Sequence, residues 1–528
     1  MKIPLIPGGP FQRKRLKLSL SVLLVAFASV CGAMSSLQAT TVSTSYGISR
    51  QVNINGAGQN IAGDAANEPS ICVDPNNPNR MAVGWRQFDT VSNNFRQSGW
   101  AYTTNGGLNW TFPGKLDAGI FRSDPVLAAD ANGWFYYLGI TNTSTFVCDL
   151  FRSTNGGVTW QSLGMALGGD KEWMAIDTTT GPGRGNIYQT WSPFHNYAND
   201  QNKIFSRSTD GGQTWMDAIS MPHLPFFGTL DVGPDGEVYA FGTAIDIEPF
   251  ALNRSTNAQN PLVTPAFDLT VIVDLGGPLK SGLTNVNPGG LLGQAWVAVD
   301  RSTHATRGNV YALCTVSNEP GNLANVMFSR STDRGQTWSA PIRINDDSPT
   351  QNACHWFGTL SVAPNGRIDV CWNDTRHSSD NSLSELYYSW SDDGGLTWAT
   401  NRQLSPPFNH LLGFPQQNKI GDYTTMVSLN EGACIAYAAT FNGEQDIFFV
   451  RAELPITANV ALVGSVVRIT WNATPGVNYC VQAKPDLTLS WDSATNIACL
   501  TSTGVSASVD SPLAVGGTQR FYRVVRQP

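Results

Sequence analysis

Apolar residues in this chain fall into short runs separated by turn residues, and one arrangement of runs recurs. It consists of a nearly continuous apolar run, a turn and a second apolar run. Because the first run does not alternate with polar residues, the pattern predicts a strand covered on both faces. Seven such units can be counted, and their first strands begin at Pro69, Pro125, Trp173, Thr229, Trp296, Thr359 and Tyr423.

An octapeptide of the approximate form Ser-x-Asp/Asn-x-Gly-x-Thr-Trp follows most of these units. Five copies occur, at residues 103–110, 153–160, 208–215, 331–338 and 391–398, and residues 254–257 keep the front half of a sixth. The Asp or Asn side chain can accept hydrogen bonds from nearby backbone N–H groups, and the Gly supplies a positive φ. The Trp ring can wedge between neighbouring sheets. The octapeptide is therefore predicted to be a hairpin turn with a structural role.

Each unit is expected to hold four antiparallel strands, with the octapeptide between the third and the fourth. Four such strands make one blade of a β-propeller, and repeats at this spacing are typical of that architecture. The predicted fold class is all-β, with a seven-bladed β-propeller over residues 48–453. Six blades, with one unit miscounted, is the alternative.

The seventh unit has no octapeptide and no fourth strand before the composition changes. Residues 51–55, near the N-terminus, resemble residues 341–345, which follow an octapeptide. We therefore expect an N-terminal strand to complete the last blade. Closing the ring in this way would remove the open sheet edges.

The repeated octapeptide resembles the Asp-box, or bacterial neuraminidase repeat (BNR repeat), of the sialidase superfamily. The copies span residues 103–398, inside the wider repeat region. The resemblance implies a propeller fold and a sialidase-like glycoside hydrolase. Asp-boxes also occur in propellers with other enzymatic roles or with none. Sialidase catalytic domains are six-bladed, so the seven units counted here depart from the family.

Both ends of the chain differ from the repeat region. Residues 1–39 have the features of a secretory signal peptide, with a basic region at 13–17, an apolar stretch at 18–34 and a plausible cleavage site after Ala39. A retained N-terminal anchor is the alternative. No other stretch is long and apolar enough to span a membrane. Residues 455–528 are predicted to form a small C-terminal β-sandwich.

Composition narrows the compartment and the partners. Charged residues make up 14% of the 528 positions, the net charge is −7 and no basic run lies beyond residue 39, which argues against a nucleic-acid partner. The nine Cys residues lack the spacing of a zinc site and suit an oxidising compartment. Cys480 with Cys499 is the predicted disulfide, and Cys354 with Cys371 is a second candidate pair. We expect a secreted protein, extracellular or periplasmic, whose oligomeric state the sequence does not indicate.

Strand direction determines where a functional site should lie. The starts of the first strands and the ends of the second strands meet at one end of the predicted propeller, here called the upper face, and the octapeptides lie at the opposite end. Carboxylates can cleave glycosidic bonds, and aromatic faces stack on sugar rings. The candidates at the upper face are Glu68, Asp124, Glu172, Tyr423, Arg86, Arg122, Arg376, Trp173, Trp296 and Trp356.

The family resemblance implies roles for these residues. Three arginines clamp the substrate carboxylate of a sialidase, and a Tyr is its nucleophile. Tyr423 would be the nucleophile here, Glu172 or Glu68 its base and Asp124 the proton carrier, and the three arginines of the upper face would form the clamp. The family's early Arg motif is approached by residues 121–125, with one extra residue, so the roles rest on topology. The three Trp residues would bind sugar rings or, alternatively, pack the ring.

The function expected from these features is sialidase-like hydrolysis of extracellular glycans without an organic cofactor or a catalytic metal. Two acidic turns, at residues 74–79 and 177–181, could hold calcium, but nothing in them requires it. Two other functions stay open. One is a non-catalytic propeller that binds glycan or protein, and the other is a glycosidase or lyase that uses carboxylates such as Asp124 and Glu172 in place of Tyr423.

Overall fold

The computed structural model describes residues 38–141, 145–246, 249–317, 323–473, 478–503, 506–513 and 519–526. These residues form strands, turns and one 3-10 helix at Trp491–Ser493. Their helical content includes no segment with the length and apolar character needed to cross a bilayer. Apart from its last two residues, the predicted signal peptide lies outside the described ranges.

Seven antiparallel sheets follow one another along the chain after two N-terminal strands, β1 (Thr41–Ser43) and β2 (Ile48–Gln51). Sheets 1 and 2 each have four strands in sequence order. Sheet 1 comprises β3 (Ala65–Val73), β4 (Met81–Phe88), β5 (Gln97–Thr103) and β6 (Thr111–Leu116). Sheet 2 comprises β7 (Arg122–Ala129), β8 (Phe135–Thr141), β9 (Val147–Ser153) and β10 (Gln161–Met165).

Sheets 3 and 4 repeat this order, and a hairpin follows them. Sheet 3 comprises β11 (Trp173–Ile176), β12 (Ile187–Thr190) and β13 (Phe205–Ser208). Sheet 4 comprises β14 (Phe226–Val232), β15 (Val238–Thr243), β16 (Phe250–Ser255) and β17 (Leu269–Val273). The hairpin comprises β18 (Ser281–Leu283) and β19 (Asn287–Leu291).

Sheets 5 to 7 complete the series. Sheet 5 comprises β20 (Trp296–Val299), β21 (Val310–Val316), β22 (Asn325–Ser331) and β23 (Ile342–Arg343). Sheet 6 comprises β24 (His355–Val362), β25 (Ile368–Asp374), β26 (Leu383–Ser391) and β27 (Arg402–Gln403), with β28 (Phe408–Asn409) paired to β26. Sheet 7 comprises β29 (Thr425–Leu429), β30 (Gly432–Ala439) and β31 (Asp446–Glu453), to which β2 and β1 are added.

The first strands of the seven sheets contact one another in a closed cycle. Each packs against the first strand of the next sheet, and β29 of sheet 7 packs against β3 of sheet 1. Hydroxyl groups at one recurring position link neighbouring first strands, because they accept a hydrogen bond from a backbone N–H of the next sheet. The acceptors are Ser70 for Leu127 at 2.8 Å, Thr229 for Val297 at 2.9 Å and Thr425 for Ile71 at 3.0 Å.

The N-terminal strand completes the last sheet, as the sequence predicts. Strand β2 pairs with β31 through Arg50 opposite Phe449 and Gln51 opposite Phe448. The strand is displaced from the predicted residues 51–55, but the contact continues beyond it. The Asn53 Nδ2 donates to Asp446 Oδ1 at 2.6 Å, and the Asn53 Oδ1 accepts from the Ile447 N–H at 2.9 Å. A side-chain amide thus extends the pairing where the backbone ladder ends.

The octapeptides form turns between third and fourth strands. In the copy at 208–215, Asp210 Oδ1 accepts from the N–H of Thr214 at 2.9 Å, and the Ser208 hydroxyl accepts from the N–H of Gly212 at 2.8 Å. Gly212 has φ of 90°, and a Cβ there would lie 2.3 Å from Leu150 of sheet 2. Glycine is required both for the backbone conformation and for the close approach of the preceding sheet.

Strand registers place the two ends of the sheets as predicted. The end of β3 at Val73 pairs with the start of β4 at Met81, which pairs with the end of β5 at Thr103. The octapeptide that begins at Thr103 therefore lies at the end where the first strand finishes. The start of the first strand lies at the opposite end, the upper face.

The C-terminal residues form two three-stranded sheets. One contains β32 (Ala458–Val463), β33 (Val466–Asn472) and a later strand, β36, and the other contains β34 (Asn478–Lys484), β35 (Thr495–Thr501) and β37. The remaining bounds are Ser506–Pro512 for β36 and Phe521–Arg526 for β37. Both sheets contribute to one apolar cluster, in which Trp471 of the first contacts Tyr479 of the second with ring centroids 5.8 Å apart.

The cysteines give one correct and one wrong prediction. Cys480 and Cys499 lie opposite each other on β34 and β35 and form a disulfide. Cys354 and Cys371 are buried free thiols. Cys371 lies opposite Thr359, well along β24, whereas Cys354 precedes the start of that strand, so the two thiols are separated along the sheet.

Two carboxyl groups without a nearby cation lie where the ring closes. Asp64 is 1% exposed, and its Oδ2 accepts from Gln87 Nε2 at 2.7 Å, whereas its Oδ1 has no hydrogen-bond partner. Burial, with the charges of Asp446 and Glu444, raises the pKa of Asp64 to about 8. Burial also raises the pKa of Asp446 to about 6. The closed ring therefore favours the neutral acids.

This arrangement predicts a pH-dependent stability. Because the folded-state pKa of Asp64 is raised, its contribution to stability is complete below about pH 4 and is lost as the pH rises through about 8. Asp64→Asn should raise the melting temperature by a few degrees at pH 9 and by less at pH 5. Differential scanning calorimetry measures both, with the exposed Asp217→Asn as control. Equal shifts at the two pH values would contradict the prediction.

Candidate functional site

The site at the upper face is built on bulged first strands. In sheets 1 and 2 the register of the first strand skips two residues, and the bulges leave Glu68 with φ of 52° and Asp124 with φ of 50°. Phe227 and Phe357 have the same conformation at the same position of sheets 4 and 6. Positive φ in a non-glycine residue costs about 1–3 kcal/mol, and bulges of this kind re-aim side chains.

Local sequence accounts for the two acidic bulges. Glu68 and Asp124 are each followed by a proline, Pro69 and Pro125. Proline has no backbone N–H for the ladder, so within a sheet it is tolerated at edges and bulges. The same dipeptide pattern in adjacent sheets therefore gives two carboxylates the same unusual backbone and the same depth.

Two lysines join these carboxylates into one ionic network. The Lys171 Nζ lies 2.8 Å from Asp124 Oδ2 and 2.5 Å from Asp422 Oδ2. The Lys419 Nζ lies 2.5 Å from Asp422 Oδ2 and 3.5 Å from Glu68 Oε1. The chain segments that enter sheets 1, 2, 3 and 7 are thus tied together by charge. We call Glu68, Asp124, Lys171, Lys419 and Asp422 the hub network.

Two arginines border the hub network. The Arg86 Nε lies 3.0 Å from Glu68 Oε2 and 2.9 Å from Asn67 Oδ1. The Arg96 Nε donates to Ser123 Oγ at 3.1 Å, and its guanidinium stacks on the Phe121 ring at 4.5 Å. Burial and the charge of Arg86 lower the pKa of Arg96 to about 10. It thus stays protonated at neutral pH.

The carboxyl groups of the site differ in protonation. Burial, with the charges of Asp124 and Asp422, raises the pKa of Glu68 to about 7, although Arg86 opposes the shift. Burial acts on Asp124 too, but Lys171 and Arg86 outweigh it and hold its pKa well below the usual range. Asp422 is held low in the same way by Lys171 and Lys419. At neutral pH, Glu68 can carry a proton while Asp124 is ionised.

Glu172 is a third kind of carboxyl group. It is 1% exposed, and neither of its oxygens has a hydrogen-bond partner among the described residues. Burial and the charge of Asp124 raise its pKa well above the usual range. Glu172 is therefore neutral at physiological pH and cannot act there as the base that the family resemblance implies.

An aromatic layer lies beside the hub network. The Trp173 ring contacts Trp296 and Tyr423 edge to face, with centroids 5.0 and 5.5 Å apart. All three side chains are at most 7% exposed. The Tyr423 hydroxyl donates to the Pro125 carbonyl at 3.0 Å, and burial raises its pKa well above the usual range. In this arrangement Tyr423 is not an available nucleophile, and the two Trp rings pack the hub.

The predicted arginine clamp is not assembled. The Arg122 Nη1 and Nη2 lie 2.6 Å from Asp149 and 2.9 Å from Asp117. The Arg376 guanidinium contacts Asp346 at 2.7 Å and stacks on Tyr387 at 4.2 Å. Each of these guanidinium groups is saturated by carboxylates of its own region, and neither shares a partner with Arg86.

Trp356 also differs from its predicted role. It is fully buried, its Nε1 donates to Ser384 Oγ at 3.0 Å, and its ring packs on Phe357 at 4.4 Å. A sugar cannot stack on a ring covered on both sides, so Trp356 supports the fold of sheet 6.

Sequence reasoning placed Lys171 and Asp422 at the upper face but gave them no role, and it did not include Arg96 or Lys419. Lys419 lies in the loop before β29, where no repeat pattern marks it. Its spacing three residues before Asp422 is the signal that could have drawn attention to it.

The hairpin of β18 and β19 holds the loop that carries Lys419. Asn287 Nδ2 donates to the Gly421 carbonyl at 2.8 Å, and the Leu291 N–H donates to Asp422 Oδ1 at 2.9 Å. A Cβ at Gly290 would lie 2.8 Å from Asp422 Oδ1, so glycine permits this approach. The insertion between sheets 4 and 5 thus positions one carboxylate of the hub network.

A narrow recess of about 210 Å³ adjoins Lys171. Its wall includes Phe226 and Phe227, whose ring centroids are 4.6 Å apart, and Phe226 contacts the 40% exposed Phe194. Aromatic side chains next to a charged group are the type of surface that sugar rings stack on. This part of the upper face was not predicted to bind substrate.

Among the described residues, no group of three or more His, Cys, Asp or Glu side chains could hold a metal ion. The two turns considered for calcium use their leading carboxylates for backbone contacts. Asp74 Oδ1 accepts from the N–H of Asn76 at 2.9 Å, and Asp177 Oδ1 accepts from that of Thr179 at 2.8 Å.

No family model matches the chain. Among solved structures, it is similar to a fungal alcohol oxidase of the AA5 family at 12% identity, with 92% of this chain and 93% of that chain covered and a TM-score of 0.47. A Trypanosoma rangeli sialidase is 10% identical over 92% of this chain and 85% of its own, with a TM-score of 0.37. The α-L-arabinofuranosidase Arb93A from Fusarium graminearum is 11% identical over 74% and 93%, with a TM-score of 0.39. These structures differ in activity, and none assigns a function to this chain.

The hub network predicts a large effect of its central cation. Lys171→Met leaves Asp124 and Asp422 buried without their shared ammonium group, which should cost about 3–5 kcal/mol of unfolding free energy. Denaturation in urea measures the loss, and adding Asp422→Asn should recover part of it. Lys203→Met, in an exposed pair with Asp200 at 3.8 Å, is the control and should change stability by less than about 1 kcal/mol. Similar losses in the two single variants would contradict the prediction.

Proposed function

We propose that the protein is a secreted, seven-bladed β-propeller with a C-terminal β-sandwich, and that the hub network is the catalytic site of a carboxylate-dependent glycoside hydrolase. The cyclic contacts of the seven first strands support the blade count. The shared apolar cluster of the two C-terminal sheets supports the sandwich. The disulfide between Cys480 and Cys499 supports an oxidising compartment, extracellular or periplasmic.

The observation that carries the catalytic proposal is the divergent protonation of Glu68 and Asp124. Glycoside hydrolases use one protonated carboxyl group as general acid and one ionised carboxylate as base or nucleophile. Glu68, with a pKa of about 7, is the general acid here. Asp124, which Lys171 holds ionised, is the nucleophile or the base that activates water.

The contacts favour this chemistry over the sialidase-like version. A sialidase would need the Tyr423 hydroxyl free and three arginines in one place, whereas the hydroxyl donates to Pro125 and the arginines pair apart. The recess lined by Phe226 and Phe227 supports a sugar as substrate. Hydrolysis of an extracellular glycan needs no organic cofactor.

A second candidate function is glycan binding without catalysis. Glu68, Asp124 and Asp422 are at most 3% exposed, and each is within an ion pair. Buried and paired carboxylates are also what a purely structural network would contain. In that case the exposed aromatic rim would be the part of the upper face that holds the sugar.

Kinetics on a panel of fluorogenic aryl glycosides, including a sialoside, separates the two. We expect turnover of neutral glycosides that falls as the pH rises through about 7, because Glu68 must be protonated. Glu68→Gln and Asp124→Asn should each lower kcat/KM by at least about 10²-fold, and Tyr423→Phe should retain most of the activity. The matched control is Glu237→Gln, a buried glutamate at the octapeptide end.

Other outcomes would overturn the catalytic assignment. Cleavage of the sialoside alone, lost in Tyr423→Phe, would restore the sialidase-like function. No turnover on any substrate, together with saturable binding on a glycan array, would support the binding function.

A further inference from the structure

The ends of the first strands enclose a cavity at the octapeptide end of the ring. Its volume is about 840 Å³, and residues of all seven sheets line it. Pockets of about 300–1,000 Å³ are typical of sites for small organic molecules. The hub network lies at the other end of the same strands, so this cavity is separate from the proposed catalytic site.

The cavity has two chemically different walls. Sheets 1, 2, 6 and 7 supply an apolar wall, in which Ile71, Leu127, Val362 and Val427 are representative. Sheets 3 and 5 supply a wall of hydrogen-bond donors. Its members are Thr178, Thr179, Thr180, Arg184, Arg301 and Arg307.

Two of the three guanidinium groups on the donor wall are held without a close carboxylate. Arg307 donates to the carbonyls of Arg301, Ser302 and Pro234 at 3.0–3.2 Å, and its nearest carboxylate, Asp235, is 3.9 Å away. That Asp235 forms its shorter contact, 2.6 Å, with Arg334. Backbone carbonyls thus hold Arg307 in place without neutralising it.

Arg184 and Arg301 complete the wall. Arg184 is exposed and donates to the Thr179 carbonyl at 3.1 Å, with no ion pair recorded within the described ranges. Arg301 is paired with Asp231 at 2.6 Å. Two further carboxylates, Asp177 and Asp300, are fully buried behind the turn amides that they accept from, so the groups exposed on this wall are donors.

We propose that this cavity binds a small organic anion with an apolar body, its charged head on Arg184 and Arg307 and its body against the apolar wall. The paired walls match both parts of such a molecule, because guanidinium groups bind carboxylate and sulfonate oxygens strongly and the apolar strands exclude water. The site does not depend on the proposed hydrolase activity.

The test uses the full chain and the fluorescent anion 8-anilinonaphthalene-1-sulfonate. We expect saturable binding of one molecule per chain, with dodecanoate displacing the dye and dodecyltrimethylammonium failing to displace it. Ala128→Phe, which fills the cavity from β7, and Arg184→Met should each weaken binding about tenfold or more. Arg468→Met, on the C-terminal sheets, and Glu68→Gln should leave the affinity unchanged.

Three results would overturn the proposal. They are binding of several dye molecules per chain, equal displacement by the cationic amphiphile, or unchanged affinity in Arg184→Met. Arg184 is exposed, so this variant should fold even if Ala128→Phe does not, and far-ultraviolet circular dichroism checks both. Loss of binding in Glu68→Gln would place the dye at the hub and would also count against the cavity.

Discussion

Closure of the ring by an N-terminal strand is the interaction on which the rest of the structure depends. Only two backbone pairs join β2 to β31, but three further contacts act at the same joint. The Asn53 amide extends the ladder to Ile447, the Trp110 ring packs on Phe449, and Gly107 lets its turn approach that phenylalanine. The joint therefore combines hydrogen bonds, ring packing and a position where no side chain would fit.

The hub network is a consequence of that closure. Glu68 and Asp422 come from sheets that are first and last in the sequence, and Lys419 bridges them, so the network exists only in a closed ring. The buried charges in turn stabilise the closed form, because separating any sheet would expose one partner and strand the other. The same proximity lets one carboxyl group keep its proton while its neighbour is ionised.

Much of the architecture could be predicted because the repeats encode it locally. The octapeptide fixes a turn through its Asp, Gly and Trp residues, strand direction then fixes the two faces, and adjacent strands bring Cys480 to Cys499. The site could be predicted only as a face. Which carboxylate partners Arg122 or Arg376, and whether the Tyr423 hydroxyl is free, depends on contacts between sheets that no local pattern specifies. Lys419 lies in an irregular loop, and its role arises from the tertiary fold.

The order in which the ring can be assembled follows from where its two joined strands lie in the sequence. The Asn53 contact with Ile447 spans 394 residues. A chain emerging from the ribosome must therefore hold its first strand unpaired until nearly the whole ring has been made. Contacts this distant make folding slow and leave an open sheet edge in partly folded species, where another chain can pair. The same strand that completes the native ring is thus the point at which an immature chain is most exposed to domain exchange and in greatest need of a chaperone.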